Sequence, residues 1–572
     1  MTERSAKWSA GAVLMWTAIG ATFIFSLWLR RAFPIFALAN AIHDDLLFVS
    51  QAAHLLALEW LGPYDQMTLA KGSAYSAFMA LNYLAGLPLK TTEHVVYLLA
   101  CLVFSTTMGR LFQSRIATIV VFMALAFNPT LWAADVGGRV VRENLYLSLS
   151  LLLVALAVRV FVLGQEGSWL SRLRAQRYWL VAFGLTGAAF WLTREEGAWL
   201  APALLVLAGY WMVRTWREGA PGQRSIHAMA PYLLLPALGF LAVVGAVNAV
   251  NFAAYGVFRN NDFRSPDFQG AYGAVSRITH DRWRSHVVFP RDARERAYAV
   301  SPAAAELRPF FEGQGGANWV AVSCANTAKQ YCDEIHVGWF MWAFRDAVTF
   351  AGHYQSGRDT QRFYRRLARE IDAACDRGDI PCSGRRETMI PVWHPSYLPA
   401  IAKAAASVFH TLATFEPLKA WTAASIGSAE QVALFARITH GPLSTDLFHG
   451  PDDARAGIAS ALLRAQKQAM KIVLPASLAL WALLLVAAAI RRWWHPGHVV
   501  VAALVAAMGM RVALLAVLEA TSMPSNNMLY LSPAVPMALA LGPCVAFLLV
   551  AYLREAGLTR APRSGASGRS AT

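Results

Sequence analysis

The chain has 572 residues, of which 56% are hydrophobic and only 15% are charged. A soluble domain usually carries about 25% charged residues, so this composition excludes an ordinary soluble enzyme and predicts a polytopic membrane protein. The formal net charge of +16 is first a topology signal in such a protein, and nucleic acid is not an expected partner because no basic cluster alternates with exposed aromatics in a soluble module.

Ten apolar runs, each near the ~20 residues that span a bilayer, predict about ten transmembrane helices. The first run is longer than the ~7–15 apolar residues of a signal peptide, so we expect a retained helix. In chain order the runs are Gly11–Leu29, His94–Arg110, Ile116–Trp132, Leu145–Leu163, Tyr178–Thr193, Trp199–Val213, Pro231–Tyr255, Ile472–Ile490, Val499–Leu518 and Leu531–Leu553.

Basic residues collect in one set of alternate loops, which the positive-inside rule predicts to be cytoplasmic. Both termini are then cytoplasmic, and the Ser/Gly/Arg-rich tail at 554–572 is predicted to be disordered. The expected location is a bacterial inner membrane, with the active site facing the periplasm. The basic residues of these loops are Arg4, Lys7, Arg110, Arg115, Arg172, Arg174, Arg177, Arg214, Arg217, Arg224, Arg491, Arg492, Arg554, Arg560, Arg563 and Arg569.

The opposite side receives two long segments. The predicted organisation is an N-terminal transmembrane region at 1–255, whose first external loop (30–93) is catalytic, a mostly helical external domain at 256–470 and C-terminal transmembrane helices at 471–553. Four cysteines of the external segment suggest two disulfides, and Cys324–Cys332 with Cys375–Cys382 is the simplest of three pairings. Four free thiols or a zinc site are the alternatives, although neither pair has zinc-knuckle spacing.

The stretch "ANAIHDDLLFVSQA" follows the first apolar run and contains His43, Asp44 and Asp45. A carboxylate at the membrane surface can act as general base for an acceptor hydroxyl. It could also hold a divalent metal such as Mg²⁺ or Mn²⁺ beside a leaving phosphate. The alternative interpretation is that the pair caps the following helix.

Two arginine clusters lie on the same predicted side. In "RVVRENLY", the residues Arg139, Arg142, Glu143 and Tyr146 have the spacing of one helix face. "LTREEGAWL" repeats the theme with Arg194, Glu195 and Glu196. Clustered arginines suit bidentate phosphate binding, and the alternative is a belt of side chains that reach for the membrane interface.

Two further cations complete the candidate set. Arg511 lies within an apolar run, and charges there usually face a cavity or a partner. Glu519 is a candidate partner, although another helix could supply one. Lys71, in "TLAKGSAYSAF", either contacts a phosphate or is solvated.

The motifs for nucleotide chemistry are absent from the sequence. It contains no P-loop, no GxGxxG before a helix, no GxSxG elbow and no HExxH. Nucleotide hydrolysis and a Rossmann-type nucleotide-sugar site are therefore unsupported.

These features resemble the GT-C superfamily of polytopic glycosyltransferases, which use lipid-phosphate-linked sugars. The acidic pair Asp44–Asp45 follows the first helix, as in that superfamily. "LAKGSAYSAF" is similar to the "KPPLYY"-like segment of aminoarabinose and protein mannosyl transferases, and "NNMLYLSPAVP" to their late Tyr-x-x-Pro segment. "WLTREEG" looks like a segment of uncharacterised bacterial members. The resemblance covers the membrane part, about two thirds of the chain.

The resemblance implies a mainly α, GT-C-like fold and sugar transfer from a polyprenyl-phosphate donor to a lipid or glycan acceptor. It implies that Asp44 or Asp45 is the catalytic carboxylate, without settling which. The candidate donor-phosphate ligands are Lys71, Arg139, Arg142, Arg194, Arg511 and Tyr530. The candidate supporting residues are His43, Glu143, Glu195, Glu196 and Glu519.

The sequence departs from the pattern where Lys71 precedes Gly-Ser instead of Pro-Pro, and it lacks the WWDYG-type motif of oligosaccharyltransferases. Transfer of a whole glycan to Asn is therefore not expected. Two other classes stay open. A glycan ligase or polymerase would use a lipid-pyrophosphate donor and would not depend on the acidic pair. A lipid or glycan transporter would show inverted repeats and broken helices.

Overall fold

The computed structural model describes residues 9–164, 168–218, 226–326, 332–444 and 454–557. These residues form α-helices joined by turns, with only isolated β-bridges between loops. The predicted mainly α class is confirmed. Most of the predicted disordered tail (558–572) and the basic residues Arg4, Lys7, Arg224, Arg560, Arg563 and Arg569 lie outside the described residues.

The described residues up to Tyr255 form nine α-helices. They are α1 (Ala10–Arg30), α2 (Asp45–Leu56), α3 (Ala74–Leu84), α4 (Leu89–Leu111), α5 (Arg115–Ala126), α6 (Glu143–Phe161), α7 (Trp169–Thr193), α8 (Ala201–Glu218) and α9 (Ile226–Tyr255).

Shorter helices follow, and three long ones end the described chain. They are α10 (Pro266–Ser276), α11 (Arg291–Val300), α12 (Pro302–Ala305), α13 (Arg308–Phe311), α14 (Gln314–Ala325), α15 (Val337–Phe350), α16 (Gly357–Arg377), α17 (Tyr397–Thr414), α18 (Ala429–Thr439), α19 (Ala454–Arg491), α20 (Gly497–Thr521), α21 (Met528–Leu531) and α22 (Val535–Glu555).

The described ranges contain nine helical segments that are long and apolar enough to cross a membrane. The helix α7 is a tenth long helix, with 25 residues, and it contains the fifth apolar run after a more polar first half. Each of the ten predicted runs thus lies largely within a helical segment, and the prediction of about ten transmembrane helices fits. The chain is a multi-pass membrane protein.

The first hydrophobic core lies among these long helices. The helix α6 is buried along almost its whole length between α4, α7 and α8. Its sequence "LYLSLSLLLVALAV" is apolar on every side, as expected of a helix that contacts protein all round. The serines in it need no outside partner, because Ser148 and Ser150 donate to carbonyl oxygens one turn earlier.

A second hydrophobic core forms between residues 263 and 382 from α10 to α16. The helix α16 shows how the local sequence sets the ends and the buried face of a helix in this core. Ser356 caps its first turn by accepting from the N–H of Asp359, and Gly378, with a φ of 81°, ends it in the left-handed conformation that glycine tolerates. The side chains of Phe363, Leu367 and Ile371 recur every fourth residue and are buried against α10.

The predicted external segment at 256–470 contributes to both cores. Its first part builds the second core, whereas α17 packs along α20 and α18 packs on α2 and α3. The long helix α19 already begins at Ala454. The domain boundaries drawn from the sequence stay predictions.

The predicted disulfide pairing is confirmed in the second core. Cys324 bonds Cys332, and Cys375 bonds Cys382. The second bridge links the end of α16 to the following loop, whose Cys382 also pairs with Ile278 in a short β-bridge. The remaining cysteines, Cys101 and Cys544, are buried free thiols in membrane helices, as expected of packing residues.

Candidate active site

The two adjacent aspartates point in different directions and have different surroundings. Asp44 stands at the N-cap position of α2, but its side chain accepts no capping hydrogen bond. Its Oδ1 lies 3.0 Å from Nζ of Lys71, and the side chain is 44% exposed. Asp45 opens α2, is fully buried, and accepts two hydrogen bonds from Arg139, at 3.2 and 2.5 Å. The capping interpretation therefore does not describe the Asp44 carboxylate.

The same contrast sets the acidity of the pair. Desolvation acts to raise the pKa of Asp44, but the charges of Lys71, Arg142 and Arg139 outweigh it and lower that pKa to about 2. Burial raises the pKa of Asp45 to about 6 against the opposing charge of Arg139. Asp44 is thus ionised throughout the physiological pH range, whereas Asp45 changes its charge near the lower end of that range.

The prediction that Arg139 and Arg142 share a helix face with Glu143 is wrong. The helix α6 begins only at Glu143, and Arg139 follows a π-helical turn at Ala134–Gly138 with an extended backbone. The two arginines therefore reach different partners. Arg139 pairs with Asp45, whereas Arg142 donates to Glu195 at 2.7 Å.

A second set of ion pairs runs from α6 to α20. Arg194 pairs with Glu143, and its Nε lies 3.3 Å from Glu196. Glu196 in turn accepts from Arg511 at 3.0 Å. The carboxylate that neutralises the intramembrane Arg511 thus comes from the turn after α7. Burial acts to raise the pKa of Glu196, but Arg194 and Arg511 lower it to about 2.

Glu519, the candidate partner from the sequence, has another role. Its carboxylate accepts the backbone N–H groups of Ser525 and Asn526 and so orders the turn that follows α20. Arg511 also donates two hydrogen bonds to the carbonyl oxygen of Tyr530, at 2.9 and 2.7 Å. The ring of Tyr530 lies 5.2 Å from the guanidinium of Arg194, so this residue lies beside the cluster, and its role at a donor phosphate stays a prediction.

Lys71 enters the cluster from the loop between α2 and α3. Besides Asp44, it lies 5.4 Å from the ring centroid of Trp342 on α15. The next residue has to be glycine, because a Cβ at Gly72 would lie 1.9 Å from the carbonyl oxygen of Leu192. Its N–H donates to Glu195 at 3.2 Å. This close approach accounts physically for the Lys-Gly sequence in place of Lys-Pro.

The imidazole of His43 contacts aromatic rings of the second core. Its ring centroid is 4.4 Å from that of Trp342 and 5.7 Å from that of Trp319. Burial and the charge of Lys71 lower the pKa of His43 to about 4. The neutral imidazole therefore packs among aromatic rings beside Asp44.

All predicted charged site residues except Glu519 form four neighbouring groups of ion pairs. The charges of Arg139 and Arg142 both act on Asp44, and Arg142 also interacts with Arg194. The four groups together make one cluster. We call it the charged cluster. Its five cations balance its five carboxylates, and the pairs join the loop after α1, the turns before α6 and after α7, and α20. Its members are Asp44, Asp45, Lys71, Arg139, Arg142, Glu143, Arg194, Glu195, Glu196 and Arg511.

A set of buried polar residues supports the cluster, and the sequence did not predict it. Lys90 donates to Glu93 at 2.8 Å and to the carbonyl oxygen of Arg139 at 2.5 Å. Glu93 also accepts from the Tyr75 hydroxyl at 2.6 Å. Arg30 donates to the carbonyl oxygen of Gly137 at 2.7 Å. The sequence does contain a sign of this set, because Lys90 and Glu93 stand at the start of an apolar run. Charged residues are common at helix ends, however, so neither stood out.

The two aspartates do not fit a divalent cation as they are placed. Each carboxylate already has a cation, Lys71 or Arg139, within hydrogen-bonding distance. Among the described residues, no group of three or more His, Cys, Asp or Glu side chains is arranged to hold a metal ion. No step below is derived through a metal.

Comparison with known proteins gives two solved structures. No family model and no curated protein matches the chain. One structure, of ArnT from Cupriavidus metallidurans bound to undecaprenyl phosphate, is 14% identical over 97% of this chain and 82% of that chain, with a TM-score of 0.31. The other, of the same protein in the apo state, is 15% identical over 94% of this chain and 78% of that chain, with a TM-score of 0.32.

At these identities and TM-scores the likeness carries no conclusion about this chain's substrate or mechanism. The proposals below therefore rest on the chain's own side chains.

Proposed function

We propose that this chain is an integral-membrane glycosyltransferase that moves a sugar from a polyprenyl-phosphate carrier to a hydroxyl group of a lipid or glycan acceptor. The observation that carries the proposal is the contact between Asp44, a partly exposed and ionised carboxylate, and Lys71. The charges of Arg142 and Arg139 also act on Asp44, and Arg194 and Arg511 belong to the same charged cluster. A base beside an array of cations is what transfer from a phosphate leaving group requires.

The donor's phosphate suits the place of the cluster. A polyprenyl tail dissolves in the bilayer and holds its phosphate at the membrane surface, where the membrane helices end. Lys71 is the most available cation, because its partner Asp44 is partly exposed, whereas Arg139 and Arg194 are paired with nearly buried carboxylates. Removing the cation from a buried pair costs about 3–5 kcal/mol, and moving Lys71 from a hydrated carboxylate costs much less.

The proposed reaction is a direct displacement. The acceptor oxygen attacks the anomeric carbon opposite the bond to phosphate, and this C–O bond breaks with its electron pair remaining on the polyprenyl phosphate. The proton of the acceptor hydroxyl passes to Asp44, and the sugar is transferred with inversion. Lys71 and the nearby arginines stabilise the charge that develops on the leaving phosphate.

The two aspartates divide the work in this mechanism. Asp45 is enclosed and held by Arg139, so it can reach neither substrate, and we assign it the positioning of Arg139 and of the start of α2. Asp44 is the base. When a donor phosphate attracts Lys71, Asp44 loses its closest cation and its pKa rises, which makes it a stronger base at the moment when the substrate is bound.

The location proposed from the sequence has support in the second core. Its two disulfides form in an oxidising compartment such as the periplasm, and this core contacts the cluster through Trp342. The charged cluster would then face the periplasm. The turns at the other end of the membrane helices carry the basic residues expected of the cytoplasmic side, which would place both termini there, in a bacterial inner membrane.

The substitution Asp44→Asn tests the proposal. Purified protein in nanodiscs should lose turnover of a polyprenyl-phosphate sugar by about 100- to 10,000-fold, the usual contribution of a general base, while it still binds polyprenyl phosphate. Asp135→Asn, which changes an exposed carboxylate in the π-helical turn, is the matched control and should keep normal turnover.

Two results would contradict the proposal. Turnover that survives Asp44→Asn would remove the base, as expected for a ligase that uses a lipid-pyrophosphate donor. Sugar or lipid movement across the vesicle membrane without a new glycosidic bond would instead indicate a transporter.

A further inference from the structure

A cavity of about 230 Å³ opens in the second core beside the first turn of α17. Residues from two segments, 276–288 and 383–392, form most of its wall, and Tyr397 completes the lining. It shares no lining residue with the charged cluster. The cavity is smaller than the roughly 300–1,000 Å³ of sites for drug-sized ligands, so it has room for one small ring.

The wall of this cavity is aromatic. Trp283 lines it, and the ring of His394 is stacked on one face of Trp283, with centroids 3.7 Å apart and planes inclined by 11°. The ring of Tyr397 meets the indole edge-on at 5.8 Å. These two contacts hold the indole plane in place, and Trp283 still keeps 39% of its surface exposed. A rigid, half-exposed aromatic ring binds the apolar face of a ligand at little entropic cost.

Uncharged polar groups accompany the aromatic wall. The Tyr397 residue is only 4% exposed, yet its hydroxyl makes no hydrogen bond to another described residue and is not sealed from solvent. Two other lining residues, Trp283 and Thr279, also have open polar groups. The indole N–H and the hydroxyl make no hydrogen bond to another described residue and can reach solvent. Hydrogen-bonding groups left open around an aromatic face suit a ligand with several hydroxyl groups.

The cavity carries no net charge to attract an ion. The guanidinium of its one arginine, Arg277, is neutralised by Asp372 at 2.8 Å and Asp376 at 3.0 Å. A second cavity, of about 670 Å³, lies beyond the same segment and differs, because several charged side chains such as Arg284 and Glu334 line it. The smaller cavity therefore favours a neutral ligand.

We propose that the smaller cavity binds one neutral pyranose ring, and that this ring belongs to the acceptor of the transfer reaction. The C–H groups on one face of a pyranose form an apolar surface for Trp283, and its hydroxyl groups match the open groups of Tyr397 and Thr279. The assignment of the ring to the acceptor rests on the proposed function. The binding of the sugar itself does not.

The cavity is mechanically linked to the charged cluster. The imidazole Nε2 of His286, from its wall segment, lies 3.3 Å from the carbonyl oxygen of Glu519 on α20. The helix α17, which begins at Tyr397, packs along α20, and α20 carries Arg511 of the cluster. A sugar held in the cavity would thus be fixed relative to the site of transfer.

A binding measurement on the full-length protein tests this inference without donor or turnover. Protein in nanodiscs, free of glycoside detergents, is titrated with methyl glucopyranoside, methyl galactopyranoside, methyl mannopyranoside and N-acetylglucosamine, and binding is followed by saturation-transfer NMR. At least one sugar should bind to the wild type. Trp283→Ala should weaken its binding by about 10-fold or more, and Tyr397→Phe, which removes only the hydroxyl, by about 3- to 10-fold.

The chain offers two matched controls. Trp393→Phe changes a tryptophan of the same segment that is 62% exposed and does not line the cavity. It keeps an aromatic ring against Tyr397, so it should leave binding unchanged. Asp44→Asn should also bind the sugar normally, which separates this inference from the proposed reaction. The inference is overturned if none of the four sugars binds, or if Trp283→Ala binds the sugar as the wild type does. Loss of binding in Trp393→Phe alone would place the sugar on the outer surface and would equally overturn it.

Discussion

At the scale of single residues, two neighbouring aspartates show how far surroundings can separate identical side chains. The start of α2 directs Asp45 into the protein against Arg139 and leaves Asp44 at the surface beside Lys71. Adjacent positions at a helix start point about 100° apart, so the sequence predicted that one of them would face the site. It did not show which one, because that depends on where Arg139 and Lys71 arrive from distant loops.

The pH dependence of activity should reveal the titration of the Asp45 carboxyl group. Its pKa is raised to about 6 by burial, so the carboxylate becomes ionised and holds Arg139 as the pH rises through 6. The value of kcat/KM, which reports the free enzyme, should therefore rise with pH with an apparent pKa near 6 and reach a plateau above pH 7. Asp44, with a pKa near 2, cannot produce this limb. A limb that lies below pH 4 would contradict the assignment, and Asp45→Asn should abolish the limb and lower the plateau.

At the scale of elements, the short segment before α6 owes its shape to two membrane helices. Arg30, which ends α1, donates to the carbonyl oxygen of Gly137, and Lys90, in the first turn of α4, donates to that of Arg139. Gly137 is needed here, because a Cβ would lie 2.3 Å from the carbonyl oxygen of Leu131. The spacing of Arg139, Arg142, Glu143 and Tyr146 predicts a helix face that begins at Arg139. These carbonyl contacts instead favour a π-helical turn followed by an extended residue.

The double substitution Lys90→Met with Glu93→Gln should separate positioning from folding. It removes both charges of the buried pair together, and the amide oxygen introduced by Glu93→Gln still accepts from Tyr75, so the fold should persist. The carbonyl oxygen of Arg139 is then no longer held, and a displacement of about 1 Å near a reacting group lowers kcat on the order of 100-fold. The KM for the donor should change little. Steady-state kinetics and a melting curve measure both effects, and normal kcat would show that Lys90 is only structural.

At the scale of the whole molecule, the loop with Lys71 is shared between the two cores. Arg345, which is completely buried on α15, donates to the carbonyl oxygens of Gln66 and Thr68 and pairs with Asp262 at 3.2 Å. Trp342 on the same helix lies beside Lys71 and His43. The second core therefore holds the loop that carries the proposed phosphate ligand and is part of the site's construction.

Removing this connection should loosen the loop without unfolding the membrane helices. In Arg345→Met with Asp262→Asn no charge is left unpaired, but two charge-assisted hydrogen bonds to the loop are lost, each worth about 1.5–3 kcal/mol. Hydrogen exchange at residues 66–72 should become at least about 10-fold faster, while amides of α6 keep their protection. Unchanged exchange in the loop would show that the two cores are connected by other contacts.

The membrane helices could be predicted because hydropathy is a local property. A run of about 20 apolar residues spans a bilayer wherever it stands in the chain, and each of the ten runs lies largely within a helical segment. The disulfides were predictable for a similar reason, since the members of each pair are separated by only 8 and 7 positions. The charged residues of the site could be collected too, because charges at the ends of apolar runs stand out.

The pairing of those charges was decided by the tertiary structure alone. Arg142 pairs with Glu195, 53 positions away in the sequence, and Arg511 pairs with Glu196, 315 positions away. Helical periodicity carries no information at such separations. Burial follows from the same packing, so the difference between Asp44 and Asp45 could not be read from two identical letters. That the chain crosses a membrane, and which side chains are candidates for chemistry, follow from the order of the residues. Helix packing determined which of them meet, because ion pairs form between surfaces that come together only when the chain folds.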